Sequence, residues 1–224
     1  MSELALRRIV PENPASGVEV AGFLAKTTTV TEDYTIESDI STVNVDAASA
    51  TITLPAATLV GRRVTVRKIS ASAGTVTINR AGADTITRAA LTAVTLTSNG
   101  DFWTLECVAS GRWELVDGYE TGSNANGKYI KSVDGAMICT DALNSANTWQ
   151  SNGSIYQTGN ATWTFPATFL NTEIVVVGQA DTLNIQTCFN EATTSSAVFR
   201  LIAGLNTSAL PRSCRLQATG RWYA

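Results

Sequence analysis

From Thr27 onward, apolar side chains alternate with hydroxyl-bearing ones. Val43-Asn44-Val45, Ala50-Thr51-Ile52-Thr53-Leu54, Val64-Thr65-Val66, Val76-Thr77-Ile78 and Val94-Thr95-Leu96 each put every second residue on one side. A period of two belongs to a strand with one face on a core and one in water, and a helix cannot use it. Gly61, Gly74, Gly82, Asn99-Gly100 and Gly111 punctuate these runs at the spacing of an all-β sandwich or barrel. Asn99-Gly100 predicts a two-residue hairpin, because both residues tolerate positive φ. Phe102 to Val108 and Trp113 to Val116 complete the block as aromatic-rich strands, and helix signals are nearly absent.

A second block shows the same pattern. Tyr129-Ile130-Lys131 and Met137-Ile138-Cys139 predict a hairpin through Asp134-Gly135. A polar stretch over 141–160 follows, and strands resume at Thr162 to Phe165, Glu173 to Gly178, Leu183 to Phe189, Ala197 to Ile202 and Cys214 to Leu216. Trp163 and Phe165 share a strand face and read as core. Trp103, Trp113 and Trp222 read as core or interface.

Between the blocks lies Asp117-Gly118-Tyr119-Glu120-Thr121-Gly122-Ser123-Asn124-Ala125-Asn126-Gly127-Lys128, three glycines and two asparagines with Tyr119 its only large apolar side chain. It reads as a linker or long turn rather than a helix or buried strand. The expected organisation is an N-terminal segment over 1–25, a first β domain over 26–117, a linker over 118–127 and a C-terminal β domain over 128–224. Each domain is expected as a small antiparallel β-sandwich or barrel. One large sandwich with a long connecting loop is the other reading of the same pattern.

Chemistry is bounded by what the chain holds. It contains no histidine, which removes His-based acid–base relays, Ser-His-Asp and Cys-His nucleophiles and most zinc patterns. The net charge of −3 offers nothing to hold a phosphate backbone, so nucleic acid is not an expected partner. Only 16% of residues are charged, with Thr, Ser and Asn in their place, as on extracellular or particle-borne β proteins. Cys107, Cys139, Cys188 and Cys214 are widely spaced and form no CxxC pair, so buried free thiols are expected, as in a cytoplasm that keeps them reduced. Met1-Ser2-Glu3 opens no secretion signal, and Ile174-Val175-Val176-Val177 is far too short to span a bilayer. No EF-hand spacing and no Cys/His cluster occurs, so neither metal nor cofactor is expected.

Residues 1–25 differ from the rest. Leu4, Leu6, Ile9 and Val10 form an apolar edge around Arg7-Arg8, and Pro11 and Pro14 stop any regular element. The segment reads either as a frayed terminus or as a docking peptide that orders on a larger body.

The two blocks also share an internal correspondence. Ala50-Thr51-Ile52-Thr53-Leu54-Pro55-Ala56 matches Ala161-Thr162-Trp163-Thr164-Phe165-Pro166-Ala167, and Gly-Arg-Trp recurs at Gly111 and Gly220. Equivalent placement of these strands in both blocks is one expectation, and chance similarity among Thr-rich strands is the other.

Gly127-Lys128-Tyr129-Ile130-Lys131, Asp134-Gly135, Met137-Ile138-Cys139, Thr164-Phe165-Pro166-Ala167 and Gly220-Arg221-Trp222, in that order, resemble the C-terminal domain of tailed-bacteriophage tail-fibre proteins. Thr53-Leu54-Pro55-Ala56-Ala57 with Gly61-Arg62-Arg63-Val64-Thr65-Val66-Arg67-Lys68-Ile69 resembles a β module of phage fibre and tail-associated proteins. The resemblance spans roughly 27–224. It implies a virion protein made in the host cytoplasm, a homotrimer bound to other virion proteins through its N-terminus and facing outward with its C-terminus. Leu4, Leu6, Ile9 and Val10 are then the anchoring candidates. A capsid-attached head fibre or decoration protein, or a tail or baseplate connector, are the alternatives.

Host-surface polysaccharide is the expected outward partner. Trp149 and Tyr156, set among Asn, Gln and Ser, offer flat rings with hydrogen-bonding neighbours for sugar contact. Folding back to cap the core is the other reading of both rings. A catalytic reading would rest on carboxylates alone: Asp101, Glu106, Glu114, Asp134, Asp181 and Glu191. Glu106 and Glu114 stand where an outward strand face is ordinarily charged, and Asp134 where turns favour Asp, so no catalytic residue is assigned.

Overall fold

The computed structural model describes residues 26–87, 89–145, 149–152, 155–180, 185–203 and 212–223. Among them every regular element is a strand. The first block holds β1 (Lys26–Val30), β2 (Tyr34–Thr35), β3 (Ile40–Val45), β4 (Ala50–Thr53), β5 (Arg63–Lys68), β6 (Val76–Asn79), β7 (Thr85–Ile86), β8 (Ala93–Leu96), β9 (Phe102–Ala109) and β10 (Arg112–Asn124). The remainder holds β11 (Gly127–Ser132), β12 (Ala136–Ser145), β13 (Trp149–Asn152), β14 (Ile155–Thr158), β15 (Ala161–Thr164), β16 (Val175–Ala180), β17 (Ile185–Ala192), β18 (Ser196–Ala203) and β19 (Arg212–Arg221). The all-β class is as the alternation requires, and no sheet closes into a barrel among the described residues.

The first block departs from the expected antiparallel arrangement. Its chain alternates between two sheets, β1, β3 and β5 in one and β2, β4 and β6 in the other, and each set pairs in parallel. β1–β2, β3–β4 and β5–β6 are thus three stacked coils of a short solenoid, finished by antiparallel β8 and β9. Stacking puts like on like: Val43 beside Val66 beside Trp103, and Ile52 beside Ile78 beside Val94. Val43, Val66, Trp103, Ile52 and Ile78 are fully buried. Alternation shows which residues face inward but not which way a strand runs, so both directions fit the same sequence. Asn99-Gly100 is likewise a turn but not a hairpin, since β8 and β9 belong to different sheets.

Lys68 shows how closely the coils stack. It is fully buried, and its ammonium donates to the carbonyls of Ala48 (2.7 Å), Gly74 (3.0 Å) and Ala47 (3.4 Å) in the loops above and below. Burial pulls its pKa below the usual lysine value, partly offset by Asp101. Gly74, at φ +143°, lets the loops touch: a Cβ there would lie 2.3 Å from the Ala48 oxygen.

The expected linker is a strand. β10 runs unbroken through residues 112–124, pairing with β9 along its first half and with β11 along its second. One sheet therefore extends from the solenoid into the second block, in the order β1-β3-β5-β9-β10-β11-β12-β19-β16. The glycines that suggested looseness are there for close approach. A Cβ on Gly118 would sit 2.1 Å from the Phe102 oxygen, and one on Gly122 would meet the Tyr129 ring at 2.4 Å.

Beyond β11 the block is a two-layer antiparallel sandwich. The predicted Asp134-Gly135 hairpin forms, with Lys131 opposite Met137. β12, β19 and β16 make one layer, and β13-β14-β18-β15 with β17 on β18 make the other. Met137, Cys139, Cys214, Leu216 and Ala218 face Trp163, Phe165, Phe169, Phe199 and Leu201 across the core. The internal correspondence fails. β4 pairs in parallel with β2 and β6, whereas β15 pairs antiparallel with β18, and the two Gly-Arg-Trp segments have unrelated neighbours. No disulfide links the four cysteines, and Cys107, Cys139 and Cys214 are buried while Cys188 is partly exposed.

Candidate functional site

Two features stand out where the blocks meet: a buried polar clasp on the inner side of the shared sheet and an open groove on its outer side. The clasp centres on Glu120, 1% exposed in the middle of β10. Its Oε1 accepts from the Tyr129 hydroxyl (2.7 Å), and its Oε2 accepts from the Thr95 hydroxyl (2.9 Å) and the Lys131 ammonium (3.1 Å). Burial, then the Glu120 charge, raises the Tyr129 phenol well above its ordinary pKa. Asp101, also 1% exposed, accepts from the N–H groups of Ser98 (2.8 Å), Thr97 (3.1 Å) and Thr121 (3.1 Å) and from the Thr121 hydroxyl (2.8 Å). Lys131 also lies 5.4 Å from the Trp222 ring. Trp222 packs against both hydrophobic clusters and stands 5.7 Å from Trp103. At the far end of β10, Asn124 donates to the Pro166 carbonyl (3.0 Å) and Trp163 to the Asn126 carbonyl (3.0 Å), so the β10–β11 turn is held by the sandwich.

On the outer side, strand register builds rows of side chains. Ser123, Lys128, Thr140, Gln217 and Val177 lie side by side across five strands. The next row is Thr121, Ile130, Ile138, Thr219 and Val175. The first row floors an open groove of about 880 Å3 that reaches Arg215 and Gln179. A smaller hollow of about 320 Å3 adjoins it, and Ser123, Lys128 and Thr140 line both. Asp141 lies at the rim, with Oδ1 accepting from the Ala142 N–H (2.8 Å) and Oδ2 enclosed without a hydrogen-bond partner. Sequence reading missed this groove, because each member looks like an ordinary solvent-facing strand residue and only the register brings them together.

Of the sugar-contact candidates, Trp149 begins β13 opposite Thr158 and Tyr156 lies on β14 opposite Ser151, so one hairpin carries both. Tyr156 is partly exposed, and the Trp149 side chain lies outside the described structure. Leu4, Leu6, Ile9 and Val10 fall outside the described residues. The carboxylates do not converge. Glu106 pairs with Arg63 (2.7 Å), Glu114 lies 3.5 Å from Arg112, Asp101 sits in the clasp and Glu191 stands exposed on β17. The Ala136 N–H and the Ser132 hydroxyl hold the Asp134 carboxyl below its usual pKa within its turn, and Asp181 lies outside the described residues. Among the described residues no group of three or more His, Cys, Asp or Glu could hold a metal, and no helix is long and apolar enough to cross a membrane.

No protein-family description matches the chain, and no curated protein matches it significantly. Part of the chain is similar to solved fibre structures. An N-truncated R1-type pyocin tail fibre aligns at 17% identity and TM-score 0.36, over 46% of this chain and 84% of that one. A C-terminal piece of the P. aeruginosa R1 pyocin fibre aligns at 12% identity and TM-score 0.34, over 57% of this chain and 53% of that one. Similarity at this level assigns neither fold nor function.

Proposed function

We propose that this chain is a structural protein of a bacteriophage particle, forming a short fibre or appendage. Residues 1–25 attach it to other virion proteins, and the second block meets polysaccharide on the host surface. The observation that carries the reading is β10, which joins a stacked-coil solenoid to a sandwich through one continuous sheet. A scaffold of that kind holds a surface at a fixed position and orientation. The engagement of Asp101, Glu106, Glu114 and Asp134 in structural contacts supports a role without catalysis.

The assembly we propose is a homotrimer. Its support is β16, the edge of the shared sheet, which presents Val175 at 67% and Val177 at 52% exposure. An open edge with exposed aliphatics is a template for another chain, and closed symmetric association covers it. Light scattering on the full chain should give three times the monomer mass, and a monomer would refute the assembly.

Gold-conjugated antibody against residues 128–224, applied to intact particles, tests the function. Label at the tail or its tip is expected. Label over the shell would replace the host-contact role with that of a capsid fibre or decoration, and unlabelled particles would remove the virion assignment. Tyr156→Ala and Trp149→Ala should each weaken attachment to cells without lowering the melting temperature; a large loss of stability would make the rings core caps.

A further inference from the structure

We propose that the outer groove across β11, β12, β19 and β16 binds an anionic polysaccharide, with Lys128 and Arg215 as the anion contacts. The inference rests on the host-contact reading and names the surface and the ligand class for it. Among the described residues the other exposed cations are occupied, and Arg200 is half-buried with its Nε enclosed. Lys26, Arg63, Arg112 and Lys131 are ion-paired. Arg62, Lys68, Arg80 and Arg221 donate to backbone carbonyls, and Arg67 lies over the Phe102 ring. Among the described residues, Lys128 and Arg215 are the exposed cations left without an ion pair, a side-chain hydrogen bond or a ring contact, and both line this groove.

Their spacing suits a polymer. Lys128 and Arg215 stand two strands apart and one row along, so their Cα atoms are separated by about 12 Å. The floor between them carries Thr140 and Gln217, with Ser123 and Gln179 at the sides, groups that pair with sugar hydroxyls. Asp141 is the acidic member of the lining, which leaves a local balance of one positive charge in a chain whose net charge is −3. Because hydrogen-bonded strands fix the backbone at these positions, ordering on binding is confined to the side chains. The groove is open along its length and admits a chain rather than enclosing a small molecule.

The test uses the full chain against immobilised polygalacturonate, poly(glycerol phosphate) and neutral dextran, at low and high salt. Both polyanions should be retained and released by salt, and dextran should not bind. Whichever polyanion binds more tightly identifies carboxylate or phosphate as the preferred anion. Lys128→Gln combined with Arg215→Gln should weaken binding by about tenfold or more at unchanged melting temperature. Arg67→Gln, on the solenoid half, should bind as the wild type does. Equal binding of dextran, no binding of either polyanion, or an unaffected double variant would overturn the proposal. So would a change in the mass of the double variant by light scattering, which would make the groove a contact between copies. Particle labelling by the antibody is independent of these outcomes, so the fibre reading can stand if the groove proposal falls.

Discussion

Glu120→Ala is the sharpest test of the joint. The substitution leaves the Lys131 ammonium, the Tyr129 hydroxyl and the Thr95 hydroxyl without their shared acceptor, in a site where Glu120 and Lys131 side chains are 2% and 18% exposed. Removing one partner of a buried ion pair costs about 3–5 kcal/mol. With a urea slope of about 2 kcal/mol/M, a loss of about 4 kcal/mol lowers the midpoint by about 2 M. Glu120→Gln keeps one acceptor oxygen and the side-chain shape, and should lose about 1.5–3 kcal/mol. Equilibrium urea unfolding of the full chain, followed by tryptophan fluorescence and far-ultraviolet circular dichroism, measures both. A cycle with Lys131→Met should return a coupling of about 0.5–3 kcal/mol. A midpoint shift under about 0.5 M for Glu120→Ala, or zero coupling, would refute the clasp as a stabilising contact.

Three further outcomes follow from the same structure. Gly122→Ala drives a methyl group into the Tyr129 ring, at 2.4 Å, and should cost about 1–3 kcal/mol in urea unfolding; a neutral result would mean that the ring is not held there. Lys68→Met leaves the Ala47, Ala48 and Gly74 carbonyls without their donor and should cost about 2–4 kcal/mol, against a small effect for Arg67→Met on the outer face. Burial pushes the Cys139 thiol up to about 11 from its ordinary 9.0, so above pH 9 the unfolded chain releases this proton first. Its stabilising contribution is complete below pH 9 and falls as pH rises towards 11, by about 2–3 kcal/mol in all. Cys139→Ala should flatten the pH dependence by that amount, and an unchanged slope would count against a buried thiol.

The inward faces could be read from the sequence because they are apolar. Val43, Ile52, Val66, Ile78, Trp103 and Trp163 announce themselves by period two, and the Asp134-Gly135 hairpin by turn chemistry. Pairing direction could not be read, because a parallel coil and an antiparallel meander bury the same alternate residues. The joint was hidden for another reason. Its buried side chains are Glu120 and Asp101, and hydropathy scores both as surface. Gly118 and Gly122 looked like flexibility when they mark close packing. The groove residues Lys128, Thr140, Arg215 and Gln217 come from three strands, and their neighbourhood is fixed only by register.

The uninterrupted β10 also decides how the molecule would answer to pulling. Force drawing the two blocks apart along this strand slides its first half past β9, across a bulge at Val116, and its second past β11, loading the hydrogen bonds in shear rather than one after another. A glycine-rich tether would stretch under a small load and pass no direction from one end to the other. Here tension on the solenoid reaches the sandwich through a strap in shear, and resistance is set by the barrier to unfolding rather than by the equilibrium. The joint would then fail by rupture, without first bending as a hinge.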